Sequence, residues 1–539
     1  MSKLFIFSIG GTGERVLRST TMLLAAGVPS FKNYDIYPII IDYDADNADK
    51  KRTRDLLDSY RTINRLAYAK HTVADMPDND DNEGQFFGNP IKELNGLDKF
   101  VLEFEPGDDN LKFRDKIEFD LIQGDMLKTQ AVLESLYDTS DDPTTELNLD
   151  LRVGFKGNPN IGSVIFHQLY KRDEYSSFVS NYHKQQGDKV VIVGSLFGGT
   201  GASGIPVLVQ QIKKDHPDVD MAALMIQPYF APEITPGGAI NAHLFYSKTK
   251  AALNFYKASG IKNSLKALYH IGDPYPTVVP YSEGGNTQKN NANPVEFIAA
   301  LAIEHYVSGN AGEGFGNEFM FGLNRDIVSE IDDNGKQVSC RIFTDDFDSH
   351  TKDNVLRYFD AFAFCLKFVH EEVFPLHKEK KGNAYIDVLD IYEMKREMST
   401  PKGSNKLQDL LCALEEYYKL FKDWLAELDY VGDDAKHIQP NSHRLSLYDL
   451  KKDYSQMVER QLEPEKDSQF NWKSVVSMNG DKKVPKKYVS LKSTNISAMM
   501  STKLKDRGHL DNKELKTKEK EFVFMDILRA DGIDIINNY

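Results

Sequence analysis

The first 60 residues alternate between short apolar runs and a helical pattern. Residues 4–9 form an apolar run that ends at the glycine-rich segment 10–13. Behind these glycines, apolar residues recur at helical spacing to about residue 24. A second apolar run, at 37–41, ends in an acidic segment. This pattern predicts a strand, a glycine turn, a helix and a second strand.

The same order returns near residue 190. A run of β-branched residues at 189–194 leads into the glycine-rich segment 198–204, and another apolar run occupies 221–226. Near-continuous β-branched runs bounded by glycine are typical of parallel strands buried on both faces. Strands that alternate with helices therefore predict an α/β fold with a parallel sheet, and its ligand is expected at the carboxyl ends of the strands.

Well over a hundred residues separate the second and third predicted strands. We interpret the acidic part of this interval, about 60–150, as an insertion with a surface loop, because the stretch 76–84 is too polar for a core. From about residue 350, apolar residues share helical faces, which predicts a largely helical region over 351–480. Residues 481–539 are expected to be a basic linker and a tail.

Composition and charge narrow the class of protein. The 539 residues are 41% hydrophobic and 27% charged, as in ordinary globular proteins. The net charge of −15 disfavours direct nucleic-acid binding. No apolar run is long enough for a membrane span and the start lacks a signal peptide, so we expect a cytoplasmic protein without a membrane partner. Cysteines and histidines show no metal-ligand spacing.

Two glycine-rich turns carry the candidate chemistry. Glycine lets the backbone approach a phosphate, and the amides and dipole of a helix N-terminus favour negative charge. Tight turns also need glycine for packing alone, but two turns that each contain a threonine predict a nucleotide-phosphate site. Neither turn has the lysine of a P-loop, and Val16 replaces the last glycine of G-x-G-x-x-G. The candidate residues are Gly10, Gly11, Thr12, Gly13, Gly198, Gly199, Thr200, Gly201, Ala202 and Ser203.

The second turn resembles the signature loop G-G-G-T-G-S-G of the tubulin and FtsZ superfamily. Phe197 takes the place of the first glycine, and Ala202-Ser203 replaces a single residue. Residues 9–13 resemble the first phosphate loop of that family, and 41–45 resemble the V-N-T-D-A loop of FtsZ. The resemblance covers about 3–60 and 150–310. The acidic insertion and the chain beyond about 350 depart from tubulin and FtsZ and look more like a divergent bacterial branch of tubulin-like proteins. It implies a Rossmann-type GTP-binding domain with Mg²⁺, and Asp44 at the nucleotide.

The resemblance also implies residues for the ribose and the base. Residues 227–229 (Q-P-Y) are similar to a K-P-F segment that precedes a ribose-binding glutamate, here Glu233. Asn241 is the candidate for reading guanine, and an alternative alignment places Ser247 there.

Residues 291–297 (N-A-N-P-V-E-F) resemble the N-V-D-L-T-E-F segment of α-tubulin, which carries a catalytic acid to the neighbouring subunit's nucleotide. Glu296 matches that acid, and Asn293 takes the place of the preceding aspartate. The resemblance places this segment on the face opposite the nucleotide and implies GTP hydrolysis completed in trans. From the residues alone, Glu296 could instead be a glutamate stabilised by the helix dipole after Pro294.

The resemblance divides the chain into a GTPase domain (1–260, with the insertion), a catalytic loop and second-domain segment (261–350), and the helical region and tail. It implies a GTPase that assembles head to tail into filaments, its partner being a second copy of itself. The alternative is a non-polymerising nucleotide-binding scaffold that recruits adaptor proteins through the insertion or C-terminal region. Phe197 and Asn293 favour this alternative, and a dinucleotide-dependent oxidoreductase is a third reading. The apolar tail needs a surface, either on its own chain or on a neighbouring subunit.

Overall fold

The architecture comes from a computed structural model. It describes residues 1–44, 47–68, 84–95, 97, 100–104, 112–119, 127–138, 140, 145–151, 154–155, 157–232, 244–273, 277–279, 290–322, 329–331, 337–342, 346–370, 406–429, 443–445, 447, 524–526, 528–530 and 532–533.

One six-stranded parallel sheet organises the described chain, with strand order β2-β1-β3-β4-β6-β8. Its strands are β1 (Ser2–Ile9), β2 (Tyr34–Ile41), β3 (Lys189–Ser195), β4 (Met221–Ile226), β6 (Ala267–Gly272) and β8 (Asn317–Gly322). The short pair β5 (Phe230–Pro232) and β7 (Thr277–Val279) lies apart, as does the sheet of β9 (Ser329–Ile331), β10 (Gln337–Ile342) and β11 (His443–Leu445). The α/β prediction and its four predicted strands are confirmed.

Helices cover both faces of the main sheet. The helices are α1 (Gly10–Ala25), α2 (Ala48–Tyr68), α3 (Phe113–Lys116), α4 (Leu127–Leu136), α5 (Pro159–Phe166), α6 (Asp173–Asn181), α7 (Gly199–Asp215), α8 (Phe245–Ala258), α9 (Pro294–Val307), α10 (Ser349–Thr351), α11 (Arg357–Phe368) and α12 (Lys406–Leu428).

Alternate strand residues fill two hydrophobic cores, one on each face. Leu4 and Ile6 of β1 belong to the core that also contains residues of α1, α9, α11 and α12. Phe5 and Phe7 belong to the core with residues of α5, α6 and α7. Because side chains alternate along a strand, both faces of β1 are apolar, which explains its continuous apolar run.

The predicted insertion is not purely a surface feature. Phe86, Phe87 and Phe100 belong to the first core, and Phe104 to the second. Residues around Ile91 and Val101 form bridges beside β2. Described residues between 84 and 104 thus contribute to both cores. The interpretation of 60–150 as an insertion stays a prediction, and the polar stretch 76–83 lies outside the described residues.

The main sheet continues past the predicted boundary at residue 260, since β6 and β8 belong to it. The predicted rear helices are present as α11 and α12.

The described part of the tail packs on its own chain. Phe524, Leu528 and Ile533 are buried in the first core, and the Cys365 thiol of α11 donates to the carbonyl oxygen of Leu528 at 3.1 Å. This part of the tail therefore docks within its own chain, which is one of the two predicted alternatives. Residues 534–539 lie outside the described residues. Within the described residues, no helix combines the length and apolar character needed to cross a membrane.

Candidate functional site

The two glycine turns lie side by side at the carboxyl edge of the sheet. They follow β1 and β3, which are parallel neighbours with Ile9 paired to Gly194. Gly10 has φ +68°, a left-handed conformation that favours glycine. A Cβ on Gly10 would lie 3.4 Å from the Cβ of Thr200, so the turns face each other. The N-termini of α1 and α7 therefore converge on one place.

A cavity of about 150 Å³ opens between the turns. This is less than the roughly 300 Å³ of an ordinary small-molecule pocket. Its wall is formed by Gly10, Gly11, Thr12 and Arg15, by Asp42, Asp44 and Asn47, by Gly154, Phe155 and Gly157, by Ser195 and Phe197 through Gly201, and by Phe230 and Phe245.

Most of the predicted phosphate-binding residues meet at this cavity. Gly10, Gly11, Thr12, Asp44, Gly198, Gly199, Thr200 and Gly201 all line it. Three predicted residues, Gly13, Ala202 and Ser203, do not line it. A Cβ on Gly13 would meet the Ser8 backbone at 2.8 Å, so this glycine allows α1 to pack closely on the sheet.

Ala202 and Ser203 belong to α7 and lie outside the cavity wall. The Ser203 hydroxyl donates to the carbonyl oxygen of Gly199 at 2.7 Å and packs where a Cβ on Gly162 would lie. Cofactor binding by Ala202 and Ser203 stays a prediction. Glu233 and Asn241 lie outside the described residues.

The side of the cavity beyond β2 is acidic. Asp42 and Asp44 line it, and Asn47 donates to the Asp42 carboxylate at 2.9 Å. The Lys50 ammonium donates to the backbone carbonyls of both aspartates. Burial raises the pKa of Asp42 above its ordinary value. The described residues contain no group of three or more His, Cys, Asp or Glu arranged to hold a metal ion.

Another part of the wall is aromatic. The rings of Phe197 and Phe245 lie 5.0 Å apart, and those of Phe197 and Phe230 lie 5.2 Å apart. Phe197 thus packs within an aromatic cluster at the position where the resembled loop has glycine. The site combines amide-rich turns, carboxylates and an apolar aromatic wall.

Glu296 lies at the same edge of the sheet, in the interior of the chain. α9 connects β6 to its parallel neighbour β8, so its N-terminus lies at the carboxyl edge. Asn293 caps α9 by accepting from Val295 N at 3.0 Å, and Glu296 accepts in return from Asn293 N at 3.0 Å. In this reciprocal capping box, both predicted catalytic residues stabilise the N-terminal end of α9.

The Glu296 carboxylate is fully buried and paired with a residue of the cavity wall. It accepts from Arg15 Nε at 2.5 Å and from the Tyr229 hydroxyl at 2.5 Å. The expectation that Glu296 lies on the face opposite the glycine turns is wrong. The local match to the α-tubulin segment did not reveal its position, because that position depends on where α9 enters the sheet.

A polar network extends from the cavity towards α12. Arg15 pairs with Asp49 at 2.6 Å, and Asp49 also pairs with Arg52. Arg52 pairs with Glu427 of α12 at 2.6 Å, and Glu427 also accepts from Arg18 at 3.0 Å. Ion pairs therefore connect α1 with α2, α9 and α12.

Glu14 is buried beside this network. Both of its carboxyl oxygens lack a hydrogen-bond partner within the described part of the chain. Burial, followed by the nearby Asp42, raises the pKa of Glu14 well above its ordinary value.

Sequence reasoning missed Arg15, Asp42, Asn47 and the aromatic wall. The charged pair Glu14-Arg15, directly behind the first glycine turn on a helix expected to pack on the sheet, was an available signal, because buried charges are rare without a partner or a role. Comparison with known protein-family profiles and with curated proteins gave no match.

Proposed function

We propose that this chain binds GTP through its phosphates between the two glycine turns and hydrolyses it, as a GTPase of the tubulin and FtsZ type. The observation that carries the proposal is the facing pair of turns, each at the N-terminus of a long helix and both lining one cavity. Free amides and helix dipoles at such positions stabilise phosphate charge.

The acidic side of the cavity fits the Mg²⁺ that the resemblance implies. Asp42 and Asp44 are its candidate ligands, and Mg²⁺ is commonly held by one or two carboxylates together with substrate phosphates and waters. When bound, Mg²⁺ would neutralise phosphate charge. The chain's own contribution to hydrolysis is to position the phosphates and to stabilise developing charge with the turn amides.

The aromatic wall supports a nucleotide rather than a bare phosphate. Phe197, Phe230 and Phe245 offer apolar surface and ring faces to a base. Guanine comes from the resemblance alone, and a cytoplasmic location stays an expectation from the sequence. Assembly into head-to-tail filaments also comes from it, since a heterologous interface that does not close propagates. Glu296 has no role in trans in this proposal.

Thr200→Val is the sharpest test of the phosphate site. The substitution keeps the shape of the side chain and removes its hydroxyl from the cavity wall. We expect GTP affinity to fall about five- to tenfold, the scale of one hydrogen bond to a charged group. Ser203→Ala is the matched control, because this hydroxyl lies three residues away and bonds only to helix carbonyls.

Isothermal titration calorimetry with GTP and Mg²⁺ measures both variants, and circular dichroism checks their folding. Equal GTP affinities for wild type, Thr200→Val and Ser203→Ala would contradict the phosphate assignment. Titration with ATP in parallel tests the preference for guanine.

A non-polymerising scaffold that binds nucleotide and recruits adaptor proteins is the second candidate. The burial of Glu296 favours it, because the residue matched to the trans-acting acid is used within this chain. Light scattering and pelleting after addition of GTP separate the two. Scattering that rises with GTP and reverses as GTP is consumed supports the filament, and unchanged scattering with intact GTP binding supports the scaffold.

A further inference from the structure

Arg15 is a buried cation in the wall of the phosphate cavity. Only about 2% of its side chain is exposed, and the residue lines the cavity between the turns. Burial alone would lower the pKa of Arg15, but Tyr229, Glu296 and Asp49 outweigh it and raise that pKa well above its ordinary value. The guanidinium is therefore charged in any physiological condition.

Four of the five N–H donors of Arg15 have partners in the described chain. Nε donates to Glu296 at 2.5 Å and Nη1 to Asp49 at 2.6 Å. Nη2 donates to Tyr229 at 2.8 Å and to Thr12 at 3.3 Å. One N–H on Nη1 remains. Nη1 lies 3.4 Å from the point where a Cβ on Gly11 would stand, beside the cavity.

Groups from three parts of the fold hold the guanidinium in this position. Asp49 comes from α2, Glu296 from the first turn of α9, and Tyr229 from the segment between β4 and β5. A single ion pair would not need contacts from three elements. Together these contacts leave the Arg15 side chain little freedom to turn away from the cavity.

We propose that Arg15 is a phosphate ligand, with its remaining Nη1 N–H donating to a phosphate oxygen of the bound nucleotide. Asp49, Glu296 and Tyr229 are positioning residues that aim it. The inference rests on the proposed function and deepens it, because it gives Glu296 a role within its own chain. The planar guanidinium suits a phosphate oxygen, and the absence of a side chain on Gly11 leaves room for the approach.

Two single variants and their combination test the contact. Arg15→Lys keeps the positive charge but loses the fork that bonds its positioning residues and the phosphate together. Gly11→Ala keeps every ion pair and places a methyl group 3.4 Å from Nη1, 3.3 Å from Asn47 Nδ2 and 3.7 Å from Asp49 Oδ2. These neighbours are side-chain atoms, so we expect the Gly11→Ala protein to fold.

GTP binding is measured by calorimetry and guanosine binding by saturation-transfer NMR. We expect each single variant to lower GTP affinity at least about tenfold and to leave guanosine affinity unchanged, because guanosine has no phosphate. The double variant should lose no more than the weaker-binding single variant, since both changes remove the same contact. Glu296→Gln should lower GTP affinity by a smaller factor, again without an effect on guanosine.

Unchanged GTP affinity in Arg15→Lys would overturn the inference. Equal losses of GTP and guanosine affinity, or fully additive losses in the double variant, would also overturn it, because they indicate a structural role for Arg15. A wild-type protein that binds no GTP would refute the proposed function itself. Wild-type binding that Thr200→Val weakens and Arg15→Lys does not would refute this inference alone.

Discussion

Glu296→Ala is expected to destabilise the folded protein by several kcal/mol. The carboxylate is fully buried and accepts three hydrogen bonds, from Arg15, Tyr229 and the Asn293 amide. Its removal leaves the Arg15 guanidinium with Asp49 as its remaining carboxylate partner. An exposed acid that waits for a neighbouring subunit would have no such structural role.

The magnitude follows from the contacts that are lost. Breaking a buried ion pair by removing one partner costs about 3–5 kcal/mol, and the loss of half of a capping box adds about 0.5–1 kcal/mol. Asp49 still compensates Arg15, so the lower end applies to the ion pair. We therefore expect Glu296→Ala to lower the free energy of unfolding by about 3–4 kcal/mol. Glu296→Gln keeps the shape and one acceptor oxygen, and should cost about 1–2 kcal/mol.

Urea unfolding monitored by tryptophan fluorescence measures this effect. Trp424 is buried and its ring lies 5.9 Å from that of Phe297, the residue after Glu296, so it reports on the region directly. Glu313→Ala is the matched control, because Glu313 is exposed and should change stability by less than about 0.5 kcal/mol. If Glu296→Ala unfolded at the same urea concentration as the control, the buried network would not hold this part of the fold.

Two further predictions concern Glu14 and the tail. Because burial and Asp42 raise the folded-state pKa of Glu14 above its ordinary 4.5, folding takes up a proton and stability falls as the pH rises above about 4.5. The stability of Glu14→Gln relative to wild type should therefore increase from pH 5 to pH 8. Urea unfolding that shows the same difference in stability between variant and wild type at both pH values would contradict this. Ending the chain after Asp526 removes the buried Leu528 and Ile533, worth about 1.5–3 kcal/mol each, so thermal unfolding should begin at a lower temperature. The decrease should be the same at every protein concentration, because the contact lies within one chain.

The sequence predicted those parts of the fold that local patterns determine. The apolar runs at 4–9, 37–41, 189–194 and 221–226 correspond to β1, β2, β3 and β4. Each of these strands is buried on both faces and therefore has a continuous apolar run, which is distinctive in a sequence. The glycine turns were also predictable, because they lie directly at the ends of two of these strands.

The later strands gave a weaker signal. β8 lies at the edge of the main sheet, and its residues alternate between half-buried and exposed. Its sequence, N-E-F-M-F-G, therefore lacks a continuous apolar run. For this reason no strand was predicted at β8, although β6 and β8 extend the main sheet past residue 260.

The candidate site was predictable only in part. The glycine turns follow from local patterns, but the rest of the site depends on contacts between residues that are distant in the chain. Arg15 and Glu296 are separated by 281 positions in the chain, and no local pattern joins them. The local sequence of residues 291–297 correctly indicated a helix start at Pro294 with a glutamate that stabilises it. It could not show whether this start lies at the same edge as the glycine turns.

A crystal structure of the protein grown with Mg²⁺ and a non-hydrolysable GTP analogue tests the central claim most directly. We expect the phosphates between residues 10–12 and 198–201, with turn amides within about 3 Å of their oxygens and the base near Phe197 and Phe245. A nucleotide bound elsewhere on the molecule would contradict the account. So would an empty cavity in crystals grown at analogue concentrations that saturate binding in solution.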